Sequence, residues 1–95
     1  MKTEKHLQDY LRRQCISAGM SFDKVESRSR AGFPDCFIAY EGIVVLVELK
    51  SPAGTGKVSA LQKACIASLK DHGCWVEIID SAEGVNGLIW RILKC

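Results

Sequence analysis

Two apolar segments on either side of Glu41-Gly42 constrain the fold of this chain more than any other feature of its sequence. A glycine at the second position of a two-residue connection is typical of the tight turn that joins antiparallel strands. We therefore predict a β-hairpin with strands Asp35–Tyr40 and Ile43–Lys50. The second strand is an almost continuous apolar run, which is typical of a strand covered on both faces.

The register of this hairpin brings charged residues together. A two-residue turn pairs Tyr40 with Ile43, and continuing outward pairs Asp35 with Glu48. Directly opposed residues lie on one face of the sheet with their Cβ atoms about 5 Å apart, and alternation along the second strand adds Lys50 to that face. Unless a β-bulge shifts the register, these three charged side chains converge at the open end of the hairpin.

Two carboxylates at this separation repel each other, and a cation would relieve the repulsion. Mg²⁺ and Mn²⁺ prefer oxygen ligands, and a bound divalent ion can activate water and stabilise charge on a phosphoryl oxygen. In such a site Lys50 would orient the water or stabilise the transition state. The alternative is that Lys50 bridges Asp35 and Glu48 as a structural ion pair.

A third acid, Glu4, lies at the start of a helix that is predicted to run from Thr3 to about Ala18. Glu4 precedes Leu7 by three residues and Leu11 by seven, so helical periodicity places it on the apolar stripe. An inward carboxylate needs a partner, and a metal shared with the hairpin acids would provide one. The alternative is that Glu4 only stabilises the helix N-terminus.

The other predicted elements surround the hairpin. They are, in chain order, the helix over 3–18, a strand over 23–27, a loop over 28–34, a loop over 51–58, a helix over 59–71, a strand over 74–79 and a partly helical segment over 81–93. The order α-β-β-β-α-β-α indicates one α/β domain over residues 1–95, with a mixed central sheet flanked by helices.

Further candidates for contacts with a polyanion come from the basic middle of the chain. No acid lies between Glu48 and Asp71, a stretch that contains Lys50, Lys57, Lys63 and Lys70, and Arg28 and Arg30 precede Asp35. Such a distribution suits a nucleic acid, and an ordinary solvated surface is the alternative. Gln62 is at the edge of the predicted inner stripe of the second helix, where it either hydrogen-bonds a phosphate or a metal-bound water or is a surface glutamine; the stripe comprises Leu61, Ala64, Cys65, Ser68 and Leu69.

Composition excludes several other classes of protein. The five cysteines are widely spaced without a C-x-x-C pair, which is not the pattern of a zinc site, and most are expected to be buried. There is no apolar stretch of about 18 residues, and the polar N-terminus lacks the apolar region of a signal peptide. We therefore expect a cytoplasmic protein.

Several of these segments match a known family. Pro34-Asp35 followed by Glu48-Leu49-Lys50 resembles the P-D…E-x-K signature of the PD-(D/E)XK nuclease superfamily. More closely, the chain resembles the virus-type replication-repair nuclease (VRR-Nuc) family, which has an early helical Glu, G-x-P-D, V-E-x-K, Ser-x-x-Gln and Gly-x-x-V. These elements are matched by Glu4, Gly32–Asp35, Val47–Lys50, Ser59–Gln62 and Gly73–Val76.

The resemblance implies a PD-(D/E)XK, restriction-endonuclease-like core and a Mg²⁺- or Mn²⁺-dependent DNA endonuclease. It implies that Glu4, Asp35, Glu48 and the backbone carbonyl of Leu49 ligate the metal. Lys50 would be catalytic and Gln62 would support the site, while Arg28, Arg30, Lys57 and Lys63 are candidates for DNA binding. The chain is similar to stand-alone members of the family, often encoded by phages, which would place it in the cytosol of a bacterial host.

Branched DNA, such as four-way junctions or flaps, is the expected substrate, and a homodimer is the expected working unit. One metal site cuts one strand, so two symmetry-related sites would be needed to resolve a junction. Excess apolar surface at 43–47 and around Trp90, Ile92 and Leu93 would be buried in the dimer. The alternatives are an archaeal-type Holliday junction resolvase, a minimal restriction-type endonuclease, and a non-catalytic DNA-binding module with the same fold.

Overall fold

Residues 2–54 and 56–95, the part of the chain that this computed structural model describes, form three helices and four strands in the predicted order. The elements are α1 (Glu4–Ser17), β1 (Ser21–Lys24), β2 (Cys36–Tyr40), β3 (Ile43–Leu49), α2 (Ala60–Asp71), β4 (Trp75–Ile79) and α3 (Ala82–Leu93). Thr3, Ser59 and Ser81 cap the three helices by accepting a backbone N–H with their side-chain oxygens. None of the helices in these residues is long and apolar enough to span a membrane.

The strands form one mixed sheet in the order β1-β2-β3-β4. The first three strands are joined antiparallel, whereas β4 is parallel to β3. A parallel pair needs a crossover connection, and α2 supplies it between β3 and β4. The predicted mixed α/β architecture is therefore confirmed.

The β2–β3 hairpin has the predicted register. Its pairs run from Tyr40 opposite Ile43 to Cys36 opposite Val47, without a bulge between them. Both turn residues have positive φ, +48° at Glu41 and +80° at Gly42, as a type I′ turn requires. The strands are shorter than predicted, since Asp35 precedes β2 and Lys50 follows β3. Continuing the observed register by one residue sets Asp35 opposite Glu48.

The main core lies between one face of the sheet and the helices α1 and α3. It is built mainly from aliphatic side chains of α1, of the central strands and of α3: Leu7, Leu11, Ile38, Val45, Val47, Leu49, Val85, Leu88 and Ile92. The second helix packs against β4 on the opposite face, where Cys65, Ile66 and Val76 are buried. Helices therefore flank both faces of the sheet.

Three details differ from the sequence-based expectations. β1 begins at Ser21, two residues earlier than predicted, because Phe22 must lie opposite Ile38 to reach the core. β3 is covered on both faces only towards Glu48, and at its start Val44 is 49% exposed. The predicted inner stripe of α2 was wrong at Leu61, which is 64% exposed, and at Ala64, which is also exposed, because the helix buries the side of Cys65 and Ile66 instead.

Three of the five cysteines behave as buried apolar residues, as expected. Cys15, Cys36 and Cys65 are buried, and Cys74 and Cys95 are exposed. Burial raises the pKa of the Cys15 thiol to about 11 and that of the Cys36 thiol to about 12. These thiols are therefore protonated at neutral pH, as suits packing residues rather than nucleophiles.

Candidate functional site

Glu48 is a charged residue buried at the end of the central strand. Its side chain is 1% exposed. Its Oε2 atom accepts a hydrogen bond of 2.8 Å from Gln62 Nε2 and lies 3.3 Å from Lys50 Nζ. Its Oε1 atom is buried and has no hydrogen-bond partner among the described residues. A buried carboxylate oxygen without a partner is costly, so this atom is a candidate ligand for a cation.

Asp35 lies across the hairpin from Glu48. Its Oδ2 atom accepts a hydrogen bond of 2.9 Å from the backbone N–H of Leu49, which fixes the carboxylate at the end of β3. Pro34 is fully buried and anchors the chain just before the acid. Asp35 thus lies just before β2 and Glu48 lies within β3, and backbone pairing and packing hold both positions.

Burial is the first cause of a raised pKa at Glu48, which lies at about 7 instead of the ordinary value of 4.5. The negative charge of Asp35 raises this pKa further, and Glu4 contributes in the same direction. Lys50 opposes the shift through its hydrogen bond and its charge, but it does not cancel it. Without a cation, the neighbourhood of Glu48 thus disfavours its ionised form.

Lys50 and Gln62 form a hydrogen-bonded unit with Glu48. Lys50 Nζ donates to Gln62 Oε1 at 2.9 Å, and the same oxygen accepts from the backbone N–H of Ser59, also at 2.9 Å. With Oε1 occupied by two donors, the Gln62 amide must direct its N–H towards Glu48. Ser59 completes a capping box by accepting from the backbone N–H of Gln62 at 3.1 Å.

The alternative reading of Lys50, as a bridge between both acids, is not the arrangement seen. Among the described residues, Lys50 forms an ion pair with Glu48 alone, while Asp35 is bonded to the backbone of Leu49. Glu48 Oε1 and the second carboxylate oxygen of Asp35, Oδ1, are therefore available to another partner.

Glu4 is exposed, so the prediction that it points inward on the apolar stripe was wrong. It is the first residue of α1, and the stripe that enters the core begins only one turn later, at Leu7. Glu4 and Asp35 still line one cleft, and Glu4 is close enough to raise the pKa of Glu48. Its role as a metal ligand stays a prediction.

The sequence indicated only part of the cleft that lies on the α1 side of the acids. It has a volume of about 410 Å³ and is lined by Glu4, Lys5, Gln8, Lys24 and Asp35. Residues 4, 5 and 8 share a helix face by their spacing, so that part was readable from the sequence. Lys24 was missed because the two-residue displacement of β1 concealed its pairing with Cys36, the neighbour of Asp35.

The loop before Asp35 packs directly on the first turn of α2. Gly32 has a φ of +82°, and a Cβ atom there would lie 2.7 Å from the backbone C and O of Leu61 and 2.9 Å from the backbone N of Gln62. Only glycine permits this approach. The contact brings the segment that carries Asp35 against the turn that carries Gln62.

The four predicted DNA-binding residues are all exposed, and none of them lines the cleft. Arg28 and Arg30 lie in the loop that Gly32 joins to α2, and Lys57 and Lys63 lie immediately before and within the first turns of that helix. Lys57 and Lys63 therefore lie on the α2 side of the acids. Their contacts with DNA stay a prediction.

The donors present fit a hard divalent cation. Asp35 and the partnerless Glu48 Oε1 supply carboxylate oxygens, the ligands that Mg²⁺ and Mn²⁺ prefer. Within residues 2–54 and 56–95, no group of three His, Cys, Asp or Glu side chains is close enough to form a metal site unaided. The two acids would therefore need further oxygen ligands to hold such an ion.

A mixed sheet between helices, with Glu48 and Lys50 at the end of its central strand and Asp35 just before the neighbouring strand, is consistent with a PD-(D/E)XK-like fold. The model of the VRR-NUC domain family matches residues 2–83, and the chain belongs to this family. This is a family of nuclease-type, DNA-processing domains, so the class implies DNA as the substrate.

The fold comparison agrees with this assignment. A solved structure described as a VRR_NUC domain is similar to this chain with a TM-score of 0.82 and 23% sequence identity, over 94% of this chain and 96% of the other. At that level of identity the likeness shows the fold alone. A comparison with curated proteins gave no match.

The raised pKa of Glu48 leads to a prediction about stability. A carboxyl group whose pKa is raised by folding makes its full contribution to stability only below the pKa that it has in the unfolded chain. The metal-free protein is therefore expected to lose stability as the pH rises from about 4.5 to about 7. The shift corresponds to roughly 3 kcal/mol. The side chain of Glu48→Gln cannot ionise, so this loss should be absent from the variant. In EDTA, thermal unfolding should therefore show that the variant becomes more stable relative to the parent as the pH rises over that interval.

Other groups that titrate over this pH range contribute equally to the stability of the parent and of Glu48→Gln, so the difference between the two proteins isolates Glu48. Glu77 is one of them, since hydrogen bonds from Arg91 and Trp75 outweigh burial and lower its pKa. Mn²⁺ should restore the stability of the parent above pH 7 and leave Glu48→Gln unchanged. Parallel pH profiles for the two proteins would contradict the placement of Glu48.

Proposed function

We propose that this chain is a Mg²⁺- or Mn²⁺-dependent DNA endonuclease that hydrolyses phosphodiester bonds in a site formed by Asp35 and Glu48. The observation that carries the proposal is the buried Glu48 Oε1, which has no hydrogen-bond partner among the residues that the structure describes and lies across the hairpin from a second carboxylate. Both acids would hold the ion with the backbone carbonyl of Leu49, and Glu4 would complete the ligands from the rim of the cleft.

When bound, the ion would supply a Lewis acid for the phosphoryl oxygen and lower the pKa of a coordinated water. The chain's own groups have distinct tasks around it. Lys50 places a positive charge next to Glu48, where it would stabilise the negative charge that develops on the phosphate in the transition state. Gln62 holds the Lys50 ammonium and the Glu48 carboxylate in fixed positions, so neither must reorganise during the reaction.

Branched DNA is the substrate that we propose within this class. The experiment is a panel of flaps, forks, four-way junctions, linear duplex and single strands, each incubated with Mg²⁺, Mn²⁺ or EDTA. Cleavage that requires the metal and is fastest on branched substrates supports the proposal. Binding without cleavage of any substrate would instead indicate the non-catalytic DNA-binding module.

The working unit is expected to be a homodimer that makes paired cuts in a junction. The structure reduces the apolar surface on which this expectation was first based, since Val45, Val47 and Ile92 are buried within the chain. Exposed apolar side chains do remain: Ile16, Val44, Leu61, Ile78, Trp90 and Leu93. Burial of such surface is a common reason for self-association.

Light scattering after size exclusion, with and without a four-way junction, tests this expectation. A mass of two chains and paired nicks on opposite strands are the expected results. A monomer mass in both samples, with unpaired nicks, would replace the dimer with a monomeric nickase.

A further inference from the structure

The two acids have a different chemical environment on each side. On the α2 side, Lys50 and Gln62 are bonded to Glu48 at the end of the sheet. On the α1 side lies the open cleft of about 410 Å³. Asp35 lines that cleft and is also the residue opposite Glu48, so the cleft leads directly to the proposed site of cleavage.

Two lysines contribute the cations of this cleft. Lys5 is 81% exposed, and its ion pair with Asp9 is long, at 3.5 Å, so that contact holds the ammonium group only weakly. Lys24 is exposed at the end of β1, opposite the residue that follows Asp35. Both side chains are thus available to an anion that enters the cleft. Gln8 adds an amide that can donate to a phosphate or accept from a base.

The mixture of charges indicates what kind of anion would fit. Glu4 and Asp35 would repel an isolated phosphate in the cleft, whereas a cation held by the acids would attract one. A nucleic acid strand fits both the acidic and the basic residues of the cleft. One of its phosphates can lie at the cation held by the acids, while the next lies at Lys5 or Lys24. The volume is also within the range of small-ligand sites, roughly 300–1,000 Å³.

We propose that this cleft binds the DNA strand on one side of the phosphodiester that is cut, with Lys5 and Lys24 contacting its phosphates. The proposal rests on the proposed nuclease function and adds the path of the strand. The strand passes from the α1 side, across Asp35 and Glu48, to the α2 side. Lys57 and Lys63, near the start of α2, would contact the DNA on the other side of the cut, and the polarity of the strand decides which of the two sides is the 5′ side.

The first test measures binding without cleavage. Lys5→Ala, Lys24→Ala and the control Lys94→Ala are titrated with a fluorescein-labelled fork in Ca²⁺ at several salt concentrations. Lys94 is an exposed lysine at the C-terminal cap of α3, outside the basic stretch and the cleft, so it matches the change in charge. Each cleft variant should reduce the slope of log affinity against log salt by about 0.7–0.9, and lower the affinity by roughly three- to tenfold. Substitution of exposed lysines should leave thermal unfolding nearly unchanged.

The second test locates the contacts along the strand. Forks are shortened on one side of the cut or on the other, and the affinities of the parent and of Lys24→Ala are compared for each. The effect of the substitution should disappear on one truncated fork and persist on the other. Salt slopes equal to those of Lys94→Ala would overturn the proposal, and so would equal effects on both truncated forks. If no DNA is cut in Mg²⁺ or Mn²⁺, the nuclease function fails, while these binding results still decide where the strand lies.

Discussion

Asp35→Asn and Glu48→Gln are each expected to lower the rate of DNA cleavage by more than about a hundredfold. Changes in groups that only support a ligand typically cost 10–100-fold in metal affinity or activity, and loss of a charged ligand itself should exceed that range. Both variants replace one oxygen by an amide nitrogen without changing shape. Single-turnover cleavage in Mg²⁺ and in Mn²⁺ measures the effect.

The fold of both variants should stay intact, because each removes one of two carboxylates that repel each other. Glu48→Gln should even be more stable than the metal-free parent at neutral pH, for the reason given by its raised pKa. Asp71→Asn is the matched control, since it changes an exposed acid at the end of α2. If either site variant cleaves as fast as this control, the assignment of the acids is wrong.

Lys50→Ala is expected to bind DNA and metal and yet lose roughly a hundredfold or more of the cleavage rate, as removal of a donor to developing charge does. The Lys50 ammonium is held 2.9 Å from Gln62 Oε1 and 3.3 Å from Glu48 Oε2, so it stays beside the acids instead of sampling solvent. A cation fixed in this way stabilises the transition state more than it stabilises bound substrate.

Substitutions of two other lysines distinguish an effect on catalysis from an effect on DNA binding. Lys57→Ala and Lys63→Ala remove exposed charges near the start of α2 and should weaken DNA binding and flatten its dependence on salt, with little change in the rate at saturation. Rates at saturating and subsaturating protein, measured over a range of salt, distinguish the two behaviours. Should Lys50→Ala follow the pattern of the other two, Lys50 is a binding residue only.

The sequence predicted the centre of the molecule well because the rules that govern a hairpin are local. The turn at Glu41-Gly42 fixes the pairing of every later residue in both strands, and the apolar content of β3 leaves little freedom to shift. The opposition of Asp35 and Glu48 therefore followed from counting. The helix starts predicted at Thr3 and Ser59 are equally local, and both residues cap their helices.

The parts that sequence did not predict depend on contacts between distant segments. Nothing near Gly32 in the chain indicates that it touches the backbone of α2, since that contact joins residues about thirty positions apart. The exposure of Glu4 depends on where the sheet ends relative to α1, which periodicity within the helix does not contain. The cleft with Lys5 and Lys24 likewise exists only because α1 and β1 meet at Asp35.

The central claim is that Asp35 and Glu48 hold the divalent cation used in cleavage, and Mn²⁺ binding followed by electron paramagnetic resonance tests it most directly. Free Mn²⁺ gives a strong signal that is lost on binding, so a titration counts bound ions without any need for DNA. The account predicts saturable binding by the parent that strengthens as the pH rises through about 7, where Glu48 ionises. It predicts that Asp35→Asn and Glu48→Gln abolish that binding, and equal Mn²⁺ binding by the parent and both variants would contradict it.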